Sequence, residues 1–534
     1  MKQAVYRNSK CEKPSEAVVS YIKNNPASFD DFKNALSAAL FINVSFGNGS
    51  KYIKEEKELS IQQSLCLRIL YPYYANKYSS FMSFYDAFSH KHISLPPLTL
   101  VSIFNIINKE NHQCIVLGID EVNYLHDISK EQFKELFAFV GSFSSSYSPF
   151  FVSILAGTVI GPMKSVVSDS MYPPLHIPLP LLSFDSCLHI VATKVKKYEN
   201  QVKTNKSLRK VVSDIGGHCR ALEILVDGLL KHQNESYPDY WDDIISDMRH
   251  TLIGMYPMTD LPLYGKAIAY SFLSLRIKEK QLISDSESAL TFLNLEENGL
   301  LKLNRLPDSF AKVEIPFIFV ICFLQSSAEN EYSRFWSRLL ISKKMHWQSW
   351  EEFNCYYMAF RISLFSILGK TTTSLSTFLS GAQMNIPIDI VLKIPSINDI
   401  KTTRLYRKYP STIQTEFPIG TCVLNASGSP FDAFVYLETT VGKLLIAQQM
   451  KLASPDSGKP QKITSDLVNE EYHKVNNSIA QHIPKTDFIL LVLGYCEGNY
   501  DIEKLPSKCA VVASNQFQEF YGESYSQHLN NFSE

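Results

Sequence analysis

The stretch that most constrains this chain is Cys114-Ile115-Val116-Leu117-Gly118-Ile119-Asp120-Glu121, an apolar run that ends abruptly in two carboxylates. A strand with one face in water alternates apolar and polar residues. This run does not, so it fits a strand covered on both faces, as in a parallel α/β sheet. Ligands of such sheets bind beyond the carboxyl ends of the strands, which is where Asp120 and Glu121 emerge. An Asp placed there can hold Mg²⁺ on a nucleotide, and a Glu can orient an attacking water. A buried strand that ends in an acidic turn has the same sequence, so the surrounding chain has to decide.

That surrounding chain is α/β in pattern. Residues 14–22 and 30–40 read as helices, and Phe41-Ile42-Asn43-Val44-Ser45-Phe46 alternates as a strand that stops at Gly47-Asn48-Gly49. Residues 60–108 read as mostly helical, and Phe133, Leu136, Phe137 and Val140 recur at helical spacing. A second buried strand, Phe150–Leu155, ends in Ala156-Gly157-Thr158. With it, the acidic run takes on the pattern of a Walker B segment. In P-loop ATPases of the AAA and STAND kinds the next strand ends in a polar sensor residue near the γ-phosphate, the place of Thr158; a plain strand-to-loop Gly-Thr is the alternative.

Further on, Gly216-Gly217-His218-Cys219-Arg220 feeds a helix with Arg220 in its first turn. STAND-type lids carry a Gly-x-Pro turn and a nearby Arg over the nucleotide, and Cys219 stands here where that proline usually does. A helix–helix turn with an exposed Arg has the same look. Residues 263–324 read as a winged helix, with helices at 264–275 and 286–297 and a wing hairpin from 299–303 and 312–316. Gly369-Lys370-Thr371 imitates the end of a phosphate loop, but position 364 is Leu where the pattern needs Gly, so it is assigned to a helix end and linker.

From about residue 400 strands dominate: 421–424, 431–437 and 444–451, then a helix over 464–482, an apolar strand at 487–494 and a short one at 510–513. Asp432 lies on one hairpin strand and Lys451 near the end of the next. Gln449 and Lys451 are two apart on a strand, so they share a face. A carboxylate that holds Mg²⁺ and a Lys that steers water are the needs of phosphodiester hydrolysis. One Asp and one amide hold Mg²⁺ poorly, so a second carboxylate is required, and Glu416 is the candidate. Lys401, Arg404, Arg407 and Lys408 form a basic cluster at the entrance of this segment that could track a phosphate backbone. A surface hairpin with one Asp and one Lys, beside a solvated linker, is the bland reading.

Composition narrows the classes. A formal net charge of −1 gives no global basic field for coating nucleic acid, although a local groove is compatible with it. The ten cysteines are scattered singly with no Cys-x-x-Cys pair, which argues against a zinc ribbon and for a reducing compartment. Met1–Arg7 has no apolar h-region, so no signal peptide is expected. The longest apolar run, 315–324, is too short to span a bilayer, and a soluble protein is expected.

Taken in order, Phe41–Ser50, Cys114–Glu121, Leu155–Thr158, Gly216–Glu223, Gly299–Leu303 with Ile315-Pro316, and Phe431-Asp432 with Gln449-Met450-Lys451 resemble a Crinkler-type protein, related to the trypanosome retrotransposon-hot-spot proteins. Such proteins pair a STAND-like P-loop NTPase with a C-terminal PD-(D/E)xK-like nuclease domain. The resemblance implies an α/β fold. A P-loop NTPase-like core at 1–185 is followed by a helical lid at 186–255, a winged-helix-like part at 256–330, a helical linker at 331–400 and a restriction-endonuclease-like α/β domain at 401–534. Two departures stand out. Residues 1–40 contain no Gly and hence no phosphate loop, and Gln449 stands where the nuclease motif has an acid, although Gln-x-Lys also occurs in that superfamily.

The implied protein is an effector, a degenerate NTPase carrying a Mg²⁺-dependent DNA nuclease. The alternative is a catalytically inactive interaction protein that keeps both folds. Asp432, Gln449, Lys451 and Glu416 are the implied catalytic set, and Asp120, Glu121, Thr158 and Arg220 the nucleotide set. Mg²⁺ would sit at Asp432 and Asp120, and ATP would bind weakly or not at all. DNA and host proteins are the expected partners, with no membrane; the oligomeric state stays open. By resemblance alone the setting is a host cell, at its nucleus, after secretion; otherwise it is the cytoplasm or nucleus.

Overall fold

The computed structural model describes most of the chain between Leu40 and Asn530; the widest stretches outside the described residues are 1–29, 90–97, 164–179, 233–239, 284–289, 327–335, 338–346, 406–416 and 453–461. The chain divides into two compact units, Met1–Leu179 with Glu297–Gly299, and Pro180–Glu296 with Leu300–Glu534.

The first unit is built on three parallel strands in chain order, β1 (Leu40–Ser45), β2 (Cys114–Asp120) and β3 (Phe150–Leu155). Parallel neighbours need long crossovers, and the helices Ile61–Tyr74, Leu100–Ile107 and Lys130–Ser146 lie in them. Ser60 opens the first of these with a capping box to Gln63, and Thr99 opens the second with Ser102. One face of the sheet (Ile42, Val44, Ile115, Leu117, Ile119, Phe151) shares a core with Leu65, Ile103, Phe104, Phe133, Leu136 and Val140 of the helices. The apolar reading of β2 holds, since its first four residues are all buried.

The loop after β1 is tied down from within. Arg68, on the Ile61–Tyr74 helix, makes a two-pronged ion pair with Glu56, Nη1–Oε2 at 2.5 Å and Nη2–Oε1 at 2.8 Å, and both side chains are fully buried. Its Nε donates to the Ser50 carbonyl at 3.0 Å, and its guanidinium stacks on Phe46 and Phe81 at 4.5 and 4.7 Å. Ser64 donates to the same carboxylate.

The second unit opens with the helices Phe184–Lys194, Lys206–Ile215, Cys219–Lys231 and Tyr240–Met255, which bury Cys187, Val191, Leu208, Val212, Leu222, Leu225, Ile244 and Met248 together. A three-stranded antiparallel sheet follows, in which Ala311–Glu314 lies between Arg276–Ile277 and Lys302–Arg305. Beside it lie the helices Leu261–Phe272 and Phe292–Glu297. The wing hairpin is therefore present. The expected 286–297 helix is described only from Phe292, since 284–289 fall outside the described residues.

Glu314, at the end of its strand, accepts from Asn304 Nδ2 at 2.8 Å, and the same nitrogen reaches Glu523 Oε2 at 3.5 Å. Burial, followed by repulsion from Glu523, pushes the Glu314 pKa up to about 7, against smaller opposing effects of Asn304 and Lys302. Between the usual carboxylate range and pH 7 the folded state thus binds more protons than the unfolded one, so stability falls as pH rises through that window. Glu314→Gln is expected to flatten that fall. Its melting temperature should exceed that of the unsubstituted protein at pH 8 and not at pH 4, and parallel melts at the two pH values check this.

The rest of the second unit is a nine-stranded mixed sheet. Its centre is the long strand Lys443–Leu452, antiparallel to Ala433–Thr439 and parallel to Asp487–Tyr495. Thr421–Leu424 and Lys401–Arg404 extend one side, and Cys509–Val512 and Gln383–Asn385 the other. Side chains alternate between the two faces. Val435, Leu437, Ile446, Ile489 and Leu491 join Trp350, Phe353 and Tyr357 of the helix Trp347–Ile367. Phe434, Tyr436, Leu445, Ala447, Leu490 and Val492 pack with Val468, Val475 and Ile479 of the helix Ser465–His482.

One expectation needs correcting here. The span 331–400, read as a helical linker, contributes Thr372–Ser374, Gln383–Asn385 and Val391–Lys393 to this sheet. Three-residue strands are too short to show a period of two, which is why the sequence pattern passed over them. Gly369-Lys370 caps the end of the preceding helix with Gly369 at φ 69°, a turn and not a phosphate cradle.

Candidate functional site

Two places gather the side chains singled out in the sequence. The first is the carboxyl edge of the parallel sheet. Phe46 N donates to Asp120 O at 3.0 Å, Ala156 N to Ile119 O at 2.8 Å, and Val122 N to Ala156 O at 3.1 Å. These bonds bring Ser45–Gly47, Asp120–Asn123 and Ala156–Gly157 to one edge. Asp120 is exposed there and Glu121 half-buried.

Glu121 adopts φ 54° and ψ 38°, a left-handed conformation uncommon for a residue with a side chain; its amide donates to Asp120 Oδ1 at 2.8 Å. Its side chain lies against Gly47, where a Cβ would stand 2.9 Å from Glu121 Cγ. Strain of this kind concentrates at functional positions. Thr158 lies outside the described residues, so its place relative to Asp120 is not described. Arg220 belongs to the second unit, where it pairs with Glu223 at 2.6 Å. The residue that caps its helix is His218, whose Nδ1 accepts from Ala221 N. Burial, helped by the Arg220 charge, holds the His218 pKa down to about 4.

The second place is the end of the large sheet where Ala433–Thr439 begins and Lys443–Leu452 finishes. Asp432 directly precedes the first of these strands, and its amide donates to Gln448 O at 2.9 Å. Its Oδ2 accepts from Gln449 Nε2 and from Met450 N, both at 2.7 Å. Two residues on, Lys451 Nζ lies 2.6 Å from Glu471 Oε1, and Lys474 approaches Glu471 Oε2 at 3.4 Å. Burial raises the Asp432 pKa above the usual range, against its bond from Met450 and the charges of Lys451 and Lys474, while Glu471 adds to the rise.

Asp432, Gln449 and Lys451 are thus brought together on the face covered by the Ser465–His482 helix. Glu416, Arg407 and Lys408 lie outside the described residues. Among the described residues, Glu471 is the carboxylate that pairs with Lys451 here, and Glu351, on the Trp347–Ile367 helix, feels the charge of Asp432. Burial and the neighbouring Asp432 raise the Glu351 pKa to about 7, with Arg404 opposing. Glu471 carried a signal that sequence reasoning missed. Val468, Glu471, Val475 and Ile479 form the buried stripe of their helix, and a carboxylate in an apolar stripe has to be paired or used. Glu351 offered no such signal.

Among the described residues no three His, Cys, Asp or Glu side chains stand close enough to hold a metal ion. The donor set nonetheless suits Mg²⁺, which keeps several waters and takes one or two carboxylates from protein. Gln449 is 5% exposed and its Oε1 has no hydrogen-bond partner, while the bonds to Asp432 engage only Oδ2. The Gln449 carbonyl oxygen is therefore buried without a partner, on the same amide that donates to Asp432. No described helix is long and apolar enough to cross a membrane.

No family model matches the chain. Among solved structures, a Walker-type ATPase of Pyrococcus abyssi is 16% identical at a TM-score of 0.34, over 54% of this chain and 85% of that one. The ORC2 protein of Aeropyrum pernix is 12% identical at a TM-score of 0.28, over 57% and 84%. Among curated proteins, the chain is 24% identical over 445 residues to Crinkler effector protein 108 of Phytophthora sojae. That alignment covers 79% of this chain and 50% of the relative, so the chain spans about half the length of the Crinkler effector it resembles.

Proposed function

We propose that the chain is a Crinkler-like effector whose second unit carries a Mg²⁺-dependent DNA nuclease, with a first unit that is a degenerate NTPase. The observation that carries the reading is the convergence of Asp432, Gln449 and Lys451 at one strand end, each on the same face of the sheet. The weak likeness to a named effector supports the effector part of this reading; action in a host cell, on DNA at its nucleus, with host proteins as further partners, is proposed with it. The proposed parts keep the boundaries 1–185, 186–255, 256–330 and 401–534, with the strands between 372 and 393 added to the last.

In this reading a water oxygen bonds to phosphorus as one phosphoester P–O bond breaks, and the water's proton ends on the leaving oxygen. Mg²⁺, when bound, would supply Lewis acidity to the phosphoryl oxygens. Asp432 and the Gln449 carbonyl would hold it. Lys451 places a positive charge at the strand end, where it orients water and offsets charge developing on the phosphoryl group. Lys401 and Arg404, on the outer strand, give the backbone of DNA a place to lie.

The first unit keeps the acidic edge formed by Asp120 and Glu121, but residues 1–40 lack the Gly-rich loop whose amides cradle phosphates. ATP is therefore taken as a weak ligand of this chain or none. The test is plasmid cleavage with and without Mg²⁺, run beside a calorimetric titration with Mg-ATP. Metal-dependent cleavage without ATP binding tighter than millimolar is the expected result. No cleavage at any divalent concentration favours the second reading, an inactive interaction protein, for which the neutral Gln449 and the engaged Lys451 speak.

A further inference from the structure

Position 449 carries an amide where the chemistry wants a carboxylate, and two residues further along the strand Lys451 pairs with a carboxylate from another element, Glu471. Glu471 is 7% exposed and sits in the buried stripe Val468, Glu471, Val475, Ile479, where helical periodicity calls for an apolar side chain. Its two oxygens are held unequally. Oε1 makes a 2.6 Å ion pair with Lys451, whereas Oε2 has only a 3.4 Å approach from Lys474, whose side chain is 51% exposed. A solvent-facing ammonium at that distance is the kind of contact a divalent cation displaces. The second mark of a ligand is Gln449 Oε1, buried and without a partner, on the amide whose nitrogen bonds Asp432.

We infer that Glu471 is the second carboxylate of a divalent-cation site shared between strand and helix. Asp432 and the Gln449 carbonyl supply the strand side, and Glu471 Oε2 the helix side. The inference rests on the nuclease reading for its purpose but not for its geometry. It accounts for three facts together: a carboxylate in an apolar stripe, an unpaired buried carbonyl, and the loss of charge at 449. Glu471 Oε1 remains on Lys451 throughout, so the same side chain that binds the cation fixes the Lys beside it. Lys474 acts as a placeholder for the cation and leaves when it binds.

The experiment measures Mn²⁺ binding to the full chain by electron paramagnetic resonance, a readout independent of cleavage. Glu471→Gln is expected to weaken Mn²⁺ at least about 10-fold, the lower end of what losing even an outer-shell group costs a metal site. Gln449→Glu in the Glu471→Gln background should recover the affinity by moving the charge back onto the strand, and Lys474→Gln should not weaken it. Thermal melts accompany each variant. Should Glu471→Gln not fold, Lys451→Met with Glu471→Gln removes both buried charges and carries the same expectation for Mn²⁺.

Unchanged Mn²⁺ affinity without Glu471 overturns the inference and reduces Glu471 to a partner of Lys451. No Mn²⁺ binding by the unsubstituted chain overturns it as well. Glu471-dependent binding in a chain that cuts no DNA upholds the site and removes the nuclease reading. Cleavage that is indifferent to Glu471 does the reverse.

Discussion

Lys451→Ala is expected to reduce Mg²⁺-dependent DNA cleavage at least about 100-fold, the usual loss when one preorganised group facing developing charge is removed. The reason is positional. Lys451 lies two residues past Gln449 on a strand, so both side chains project toward the Ser465–His482 helix. Asp432 faces them from the neighbouring strand. No other Lys or Arg shares that end of the strand, so in the proposed nuclease a truncated side chain would leave the phosphoryl oxygens without a fixed positive partner from this strand.

The fold should survive, because Lys451 is part-exposed near the end of its strand and outside the apolar core. Its loss does leave Glu471 with Lys474 alone, so a modest fall in melting temperature is expected alongside the loss of cleavage. Lys451→Arg separates charge from geometry. It keeps the cation but replaces a compact ammonium with a planar fork, and it should restore stability more fully than cleavage. Plasmid nicking followed over time at saturating Mg²⁺ is the measurement. Full cleavage by Lys451→Ala would remove this residue from the chemistry.

How much of this was legible in the sequence follows from the size of each signal. The strands Cys114–Asp120, Lys443–Leu452 and Asp487–Tyr495 are buried along most of both faces, and long apolar runs announce such strands; Phe150–Leu155, read as buried in the same way, buries only Phe151 and leaves Ile154 55% exposed. A parallel sheet built on these strands followed from the same reading; their order β1-β2-β3 comes from the structure. The strands between 372 and 393 carry three residues each and were lost for want of length. Glu416, before the first strand, is the sequence's candidate for a second carboxylate and lies outside the described residues. The structure finds Glu471 on a helix 39 positions after Asp432 in chain numbering, brought back by a parallel crossover. A crossover of that kind sets no local pattern except the polar break in an apolar stripe. Glu351 arrives from a helix that packs on the other face of the sheet, and nothing local to it could have indicated that.

The Arg68–Glu56 pair was equally silent in sequence, and its removal is expected to have the largest effect on stability. Arg68→Ala should destabilise the first unit by about 3–5 kcal/mol, the cost of leaving a buried charge without its partner. Glu56 is fully buried. Without the guanidinium its carboxylate keeps only the Ser64 hydroxyl and the Ile53 amide, too little to offset desolvation. The same truncation removes the stacking on Phe46 and Phe81 and frees the Ser50 carbonyl. Against a typical stability of about 5–15 kcal/mol, this is enough to lower the first unit's melting temperature by roughly 6–20 °C at this size.

Arg68→Met with Glu56→Gln separates the causes. It takes away both charges, and replacing a buried ion pair with neutral groups costs far less than breaking it, so the double variant should melt well above Arg68→Ala. Equal melting temperatures would assign the loss to packing instead. The consequence reaches the acidic edge, because Arg68 Nε also donates to the carbonyl of Ser45 at 3.3 Å, the last residue of β1. That bond holds the turn whose Gly47 lies against Glu121. Hydrogen exchange of the Phe46 amide, bonded to Asp120 O, should therefore accelerate in Arg68→Ala and in the double variant alike, since both lose the Arg68 Nε donor, and this reports the release of the edge that carries Asp120 and Glu121.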